Sequence, residues 1–284
     1  MTLTPKALTA PAIQGLKGIR KISALTAYDA PTARLLDQAG IDVLLVGDSV
    51  EMVVYGASDT LGATLDRMIP HARAVSSAVR RALVVGDLPY LTYHTTPDEA
   101  VRNAARYVVE GDCKAVKLEG GTRRLPMIRA ILNAEIPVMG HIGLTPQSVH
   151  ALGGFKVQGK SLPEAERIVD EAKRLTDAGV FALVLEAVPS DLAARITEAI
   201  AIPTIGIGAG PSCDGQILVF HDMVGYKEEG QRTPKFVRRY ANLGEVISKA
   251  VAAYVDDVQA GRFPDESESY PSDRPAAEVV RIYG

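Results

Sequence analysis

Eight short runs rich in Val, Ile, Leu and Ala recur along this chain: 22–28 (ISALTAY), 43–47 (VLLVG), 82–88 (ALVVGDL), 115–119 (AVKLE), 137–142 (PVMGHI), 181–187 (FALVLEA), 203–208 (PTIGIG) and 216–221 (QILVFH). Separated by segments of helical period, they read as strands buried on both faces of a parallel sheet. Helix starts are marked as well. Thr96-Pro97-Asp98-Glu99 and Ser161-Leu162-Pro163-Glu164 both have capping-box spacing. After the first, Ala100, Val101, Ala104, Ala105, Val108 and Val109 fall on one helical face, and Gly40, Gly111 and Gly179 stand where helices would end in C-terminal caps. Eight alternations across residues 22–221 predict an α/β chain folded as a (β/α)8 TIM barrel rather than an open doubly wound sheet of about five or six strands. Only seven residues separate the last two runs. That link is expected to be short, or one strand is misplaced.

The chain has 284 residues, of which 47% are hydrophobic, enough to bury one large core. We read residues 1–264 as a single catalytic domain with a short N-terminal arm, and 265–284 as a polar, mobile tail. The segment 234–260 reads as a long amphipathic helix that either closes the barrel or reaches a neighbouring subunit. With 31 basic and 34 acidic residues there is no basic surplus of the kind that nucleic acid requires. The two cysteines, Cys113 and Cys213, form neither a disulfide framework nor a zinc motif. No apolar run approaches the roughly 20 residues that span a bilayer, and no signal-peptide core follows Met1. A soluble, cytoplasmic protein is therefore expected. Residues 1–28 carry Lys6, Lys17, Arg20 and Lys21 and no acid before Tyr28, a bias shared by transit peptides, but one Arg, Pro5 and Pro11 favour a surface arm or first helix.

In such a barrel the chemistry stands at the C-terminal strand ends. Those positions hold Asp29, Asp48, Asp87, Glu119, His141, Glu186 and Asp222. Two like charges about 4 Å apart repel by about 4 kcal/mol at an effective dielectric of about 20. Such a rim therefore needs a cation, a lysine, or protonation of one member. Lys117, two residues before Glu119, points to the same side of its strand. A hard divalent ion is the other source of relief, and oxygen ligands without a Cys/His set favour Mg2+ over Zn2+. An isolated Asp after a strand is more often a helix cap or turn residue. Joint placement with Lys117, Glu119 and Glu186 is what argues against that for Asp48 and Asp87. His141 is either a core histidine or a pocket residue, and the other four histidines default to surface or structural roles. The glycines of 206–210 (GIGAG) lack the context of a dinucleotide fingerprint and are expected to let a ligand or another backbone come close.

Taken together, LTAYDAPTARLLDQAGIDVLLVGDS (25–49), RALVVGDLPYLTY (81–93), AVKLEGG (115–121), PVMGHIGLTPQSVHALGGFKVQGKS (137–161), FALVLEAVP (181–189) and PTIGIGAGPSCDGQILVFHDM (203–223) resemble the ketopantoate hydroxymethyltransferase family from about residue 13 to 264. The resemblance implies a barrel of the phosphoenolpyruvate mutase/isocitrate lyase group. The implied reaction moves a hydroxymethyl group from 5,10-methylenetetrahydrofolate to 3-methyl-2-oxobutanoate through a Mg2+-stabilised enolate, within pantothenate and coenzyme A biosynthesis. It implies Asp48, Asp87 and Glu119 around Mg2+, substrate contacts from Asp48, Ser49, Asp87 and Lys117, Glu186 as the base, and a large ring-like homo-oligomer, with a decamer as the size in view. Val50-Glu51 departs from the family's usual Leu-Gly and adds a charge beside the metal-binding turn; Ala187 stands where Cys is common. The rival reading, a Mg2+-dependent lyase or mutase of the same group, lacks its Lys-Lys-Cys-Gly-His loop here.

Overall fold

The computed structural model describes residues 6–227, 230 and 233–271. All eight runs form strands: β1 (Ile22–Thr26), β2 (Val43–Val46), β3 (Leu83–Asp87), β4 (Ala115–Lys117), β5 (Val138–Gly143), β6 (Ala182–Glu186), β7 (Thr204–Ile207) and β8 (Gly215–Leu218). Each pairs in parallel with its sequence neighbour, and β1 pairs with β8, so the sheet is a closed barrel. The helices are α1 (Ala10–Gln14), α2 (Ala30–Gln38), α3 (Val50–Val53), α4 (Leu65–Ala78), α5 (Pro97–Val109), α6 (Leu125–Asn133), α7 (Val149–Leu152), α8 (Leu162–Ala178), α9 (Ser190–Ala199), α10 (Phe220–Met223) and α11 (Leu243–Gln259).

Alternation along the strands divides the apolar residues into two cores. Ile22, Ala24, Val43, Leu45, Leu83, Val85, Ala115, Met139, Ala182, Val184, Ile205 and Ile217 fill the barrel lumen together with Ala10 and Ile13 of α1, which plugs its N-terminal end. The intervening residues, among them Leu44, Val46, Val84, Val116, Leu183 and Leu185, pack under the helices. The basic N-terminal stretch is part of this floor. Arg20 and Arg81 both pair at 2.7 Å with buried Asp42, and Lys17 pairs at 2.7 Å with Asp214. The first helix is thus the correct form of the expected arm.

Local signals hold in part. Ser161 and Glu164 close a capping box on α8, and Gly179 ends that helix in the left-handed region at φ 100°. Thr96 caps α5 through the Glu99 amide, but the Glu99 carboxylate turns to Thr95 instead of closing the box. On α5 the buried face is Ala100, Ala104 and Tyr107, whereas Val108 and Val109 are exposed. Gly111 is not a left-handed cap. Asp112 takes the positive φ, and a Cβ on Gly111 would lie 2.9 Å from Ala72.

The β7–β8 link, residues 208–214, contains no helix, so the strand assignment stands and the connection is short. Other parts of the protein stand close to the glycines here: a Cβ on Gly206 of β7 would meet Cys213 at 2.9 Å, and one on Gly210 of the link would meet Ser190 at 2.5 Å. Among the described residues after α10, no helix is laid over β8 and β1. Ser23, Leu25, Gln216, Leu218, Met223 and Phe236 instead line a groove of about 790 Å3, while α11 buries none of its residues. In the tail, Asp265 caps a single 3-10 turn over Glu266–Glu268. The expected mobility of the rest falls outside the described residues.

Candidate active site

The alternation that fills the lumen with Val85, Ala115, Met139 and Val184 brings Asp87, Lys117, His141 and Glu186 to its C-terminal mouth, one step further along β3, β4, β5 and β6. Asp48 follows β2 after Gly47, and Glu119 follows β4. Five of the six are almost fully buried: Asp48, Asp87, Lys117, Glu119 and His141 are each at most 5% exposed. Lys117 Nζ lies 2.9 Å from Asp87 Oδ1 and 3.9 Å from Glu119 Oε1. It also lies 3.2 Å from His141 Nδ1. On its other side, His141 Nε2 is 3.3 Å from Glu186 Oε2. Asp48 approaches through its backbone, whose N–H donates to Asp87 Oδ2 at 3.4 Å. Ser49 lies beside this cluster with its hydroxyl 2.8 Å from that of buried Tyr28.

The expected residues therefore converge, His141 among them as a member of the cluster. Asp29 and Asp222 do not join it. Asp29 caps α2 by accepting from Thr32, and Asp222 pairs with Lys227 at 3.1 Å. Neither Asp48 nor Asp87 is a helix cap: the residue before α3 is Ser49, which makes no side-chain cap bond. Glu51 is buried too, yet its carboxylate turns to Arg67, whose Nη1 donates to both oxygens at 2.9 and 3.1 Å. Its charge is answered by this residue of α4 and is not added to the cluster.

Two participants carried no sequence signal of their own. Gln147, in the 3-10 turn Pro146–Ser148 after β5, donates its side-chain amide to Asp48 Oδ2 at 2.8 Å and to the Leu88 carbonyl at 3.0 Å. Its backbone N–H donates to Glu119 Oε2 at 3.0 Å. Tyr93, fully buried, donates its hydroxyl to Gln147 Oε1 at 2.6 Å and accepts from the Glu119 amide at 3.2 Å. Only the run of polar residues in GHIGLTPQS hinted at the first. A tyrosine in DLPYLTY is indistinguishable in sequence from an ordinary core residue.

Burial dominates the electrostatics. It pushes the Asp48 carboxyl well above the usual range, and the neighbouring Asp87 and Glu119 charges push further. Burial also raises Asp87, against the pull of Lys117. Glu119 moves the other way: burial is the largest single influence and pushes it up, but the His141 hydrogen bond and charge, the Lys117 charge and the Gln147 amide together outweigh it. Burial and the Lys117 charge oppose ionisation of His141, but its hydrogen bonds to Glu119 and Glu186 prevail and hold it at about 9. Four carboxylates, Asp48, Asp87, Glu119 and Glu186, thus share two positive charges, those of Lys117 and His141, and remain short of positive charge. Among the described residues, no three His, Cys, Asp or Glu side chains are poised to enclose an ion by themselves. Mg2+ does not need that, since one or two carboxylates commonly hold it while water and ligand oxygens complete the octahedron. The all-oxygen donor set of Asp48 and Asp87, with Glu119 behind, fits such an ion chemically.

The family model of ketopantoate hydroxymethyltransferase matches residues 7–266. The 3-methyl-2-oxobutanoate hydroxymethyltransferase of Syntrophomonas wolfei is 56% identical over 250 residues, covering 88% of this chain and 90% of the relative. That of Acetivibrio thermocellus is 52% identical over 271 residues, covering 95% of each. Among solved structures, phosphonopyruvate hydrolase superposes with a TM-score of 0.60 at 13% identity, covering 94% of this chain and 92% of the other. 2,3-Dimethylmalate lyase, a PEP mutase/isocitrate lyase superfamily member, superposes with a TM-score of 0.59 at 20% identity, covering 94% and 93%. At such identities these two structures speak for the fold alone, and the fold is the expected one.

Proposed function

This chain belongs to the ketopantoate hydroxymethyltransferase family, and from that premise we propose that it transfers a hydroxymethyl group from 5,10-methylenetetrahydrofolate to 3-methyl-2-oxobutanoate. The product is 2-dehydropantoate, a precursor in pantothenate and coenzyme A biosynthesis. The observation that carries this reading is the lumen-facing series Asp87, Lys117, His141 and Glu186, with Asp48 and Glu119 closing over it.

Lys117, buried and charged beside Asp87, supplies the fixed positive charge for the keto-acid carboxylate, and the Ser49 hydroxyl, held by Tyr28, adds a hydrogen bond. Glu186 is the least enclosed of the cluster carboxylates, with its side chain 15% exposed, so it can reach a substrate C–H. It takes the C3 proton, and the bonding pair left behind becomes the nucleophile toward the folate methylene carbon. Water supplies the hydroxyl as tetrahydrofolate leaves. His141 Nε2 holds Glu186 in place and answers its charge before the proton arrives. Mg2+, held by Asp48 and Asp87 with Glu119 directly or through water, would make the C3–H acidic by drawing charge onto the ketone oxygen.

Both cysteines are buried and unpaired, as suits a reducing cytoplasm. No helix among the described residues is long and apolar enough to cross a membrane. The uncovered groove beside β8 and β1, and the exposed Val246, Val251, Tyr254 and Val258 of α11, support a homo-oligomer. A monomeric mass by light scattering would remove that part.

Glu186→Gln tests the centre of the proposal. The variant should bind 3-methyl-2-oxobutanoate in a Mg2+-dependent manner and lose nearly all exchange of its C3 proton in D2O. Exchange at the wild-type rate would remove Glu186 as the base. Folate-dependent turnover undiminished by EDTA would remove the metal.

A further inference from the structure

We propose that Gln147 is a positioning residue that sets the spacing of the Asp48 and Glu119 carboxylates for a divalent cation, with Tyr93 fixing which way its amide points. The proposal rests on the metal reading above. The Glu119 backbone N–H can only donate, so the Tyr93 oxygen accepts from it at 3.2 Å. Tyr93 has one proton left to give, and the acceptor is Gln147 Oε1 at 2.6 Å. The amide is thereby oriented, with its NH2 facing Asp48 Oδ2 at 2.8 Å and the Leu88 carbonyl at 3.0 Å. The flipped amide would set its oxygen against two acceptors and its NH2 against a proton.

One residue consequently ties together the loops after three strands. Its side chain reaches Asp48 after β2 and Leu88, which directly follows Asp87 at the end of β3. Its backbone N–H reaches Glu119 Oε2, after β4, at 3.0 Å. Both amide hydrogens are engaged, and Gln147 is 3% exposed. Because the amide is neutral, it orders the carboxylates without satisfying their need for positive charge. It also occupies only one oxygen of each acid: Asp48 Oδ1 makes no hydrogen bond to any described residue, and Glu119 Oε1 faces Lys117 and His141. A lysine or arginine at 147 would hold the same acids but compete with the cation.

The test compares wild type, Gln147→Met, which keeps the volume without the hydrogen bonds, and Tyr93→Phe. Mg2+ affinity is measured by calorimetry without substrate, melting temperature in EDTA, and KM and kcat at low and saturating Mg2+. Gln147→Met should weaken Mg2+ binding by about tenfold to a hundredfold, the range for groups that orient metal ligands. The apparent KM for the keto acid should rise with it, while saturating Mg2+ restores most of kcat. Tyr93→Phe should act in the same direction, more weakly, and add little to Gln147→Met in the double variant. A folded Gln147→Met with wild-type Mg2+ affinity and KM, differing only in melting temperature, would reduce Gln147 to a structural residue and overturn the proposal. If Gln147→Met does not fold, an unchanged Mg2+ affinity in Tyr93→Phe overturns it. A wild-type enzyme that binds no Mg2+ defeats the metal reading itself, and this inference with it.

Discussion

Lys117→Met removes the one lysine charge from the carboxylate cluster while keeping most of the side chain's volume. Lys117 Nζ lies 2.9 Å from Asp87 and 3.9 Å from Glu119, so the gross attraction is about 6 and about 4 kcal/mol at an effective dielectric of about 20. Desolvating a buried ammonium cancels several kcal/mol of this, and removing one partner of a buried pair leaves a net loss of about 3–5 kcal/mol. Urea unfolding at pH 8 in EDTA should therefore show the variant less stable by about that amount, at an unchanged denaturant slope. The sign of its pH dependence follows from Asp48 and Asp87. Both are raised by burial in the wild type, so the folded state binds more protons than the unfolded state, and folding gains stability as pH falls through their folded-state pKa values. Without Lys117 they rise further. The variant gains more than wild type on acidification, and the difference between the two narrows toward low pH. Mg2+ should close part of the gap as well, since it binds only the folded state. Equal stability in EDTA, or a gap that widens on acidification, would refute the claim that Lys117 is present to compensate these carboxylates.

Two other variants test the scaffold. Asp42→Asn breaks the floor pairs with Arg20 and Arg81, which hold Asp42 below the ordinary carboxylate range despite its burial. Because both guanidinium groups reach solvent, the loss at pH 7 should be about 2 kcal/mol, less than for a fully buried pair. A depressed carboxylate contributes its stability above its unfolded value and loses it as pH falls through the folded one. The difference from wild type should accordingly fade below about pH 4 in acid-unfolding curves, and a difference that persists there would refute the assignment. Gly86→Ala would place a methyl group 2.3 Å from the ring of fully buried Tyr107, whose hydroxyl donates to the Asp87 carbonyl. Overpacking of this kind costs about 1–3 kcal/mol. The melting temperature should drop together with Mg2+ affinity, and a wild-type value for both would show that Tyr107 does not support Asp87.

The strands are legible because they are short and most are apolar on both faces, a pattern with few other readings, although Ser23 of β1 and Gln216 of β8 face outward and are exposed. Legibility failed where one residue type serves two environments. Val108 and Val109 share apolar character with Ala104 yet lie outside, whereas Ala100, Ala104 and Tyr107 are buried and Val101 and Ala105 pack half-buried against the same core. The glycines of 206–210 are expected to let a ligand or another backbone come close, and what comes close is the protein's own Cys213, Phe236 and Ser190, the last with its backbone. Glu51 read as a disturbance beside Asp48 because its partner, Arg67, lies a helix away. Gln147 and Tyr93 were silent for a related reason: their role is to bridge residues 48, 88 and 119, and hydrogen-bond partners so distant in the chain leave no local pattern.

From its residues alone, this chain determines an eightfold parallel barrel and assigns Asp48, Asp87, Lys117, Glu119, His141 and Glu186 to its C-terminal rim, since strand parity and strand ends are local properties. Which of those rim groups touch was decided by closure of the barrel. Closure seats Lys117 against Asp87, sets His141 between Glu119 and Glu186, and sends Asp29 and Asp222 to other partners. Distances between side chains on different strands depend on register and curvature around the whole sheet, and no single segment of the chain encodes them.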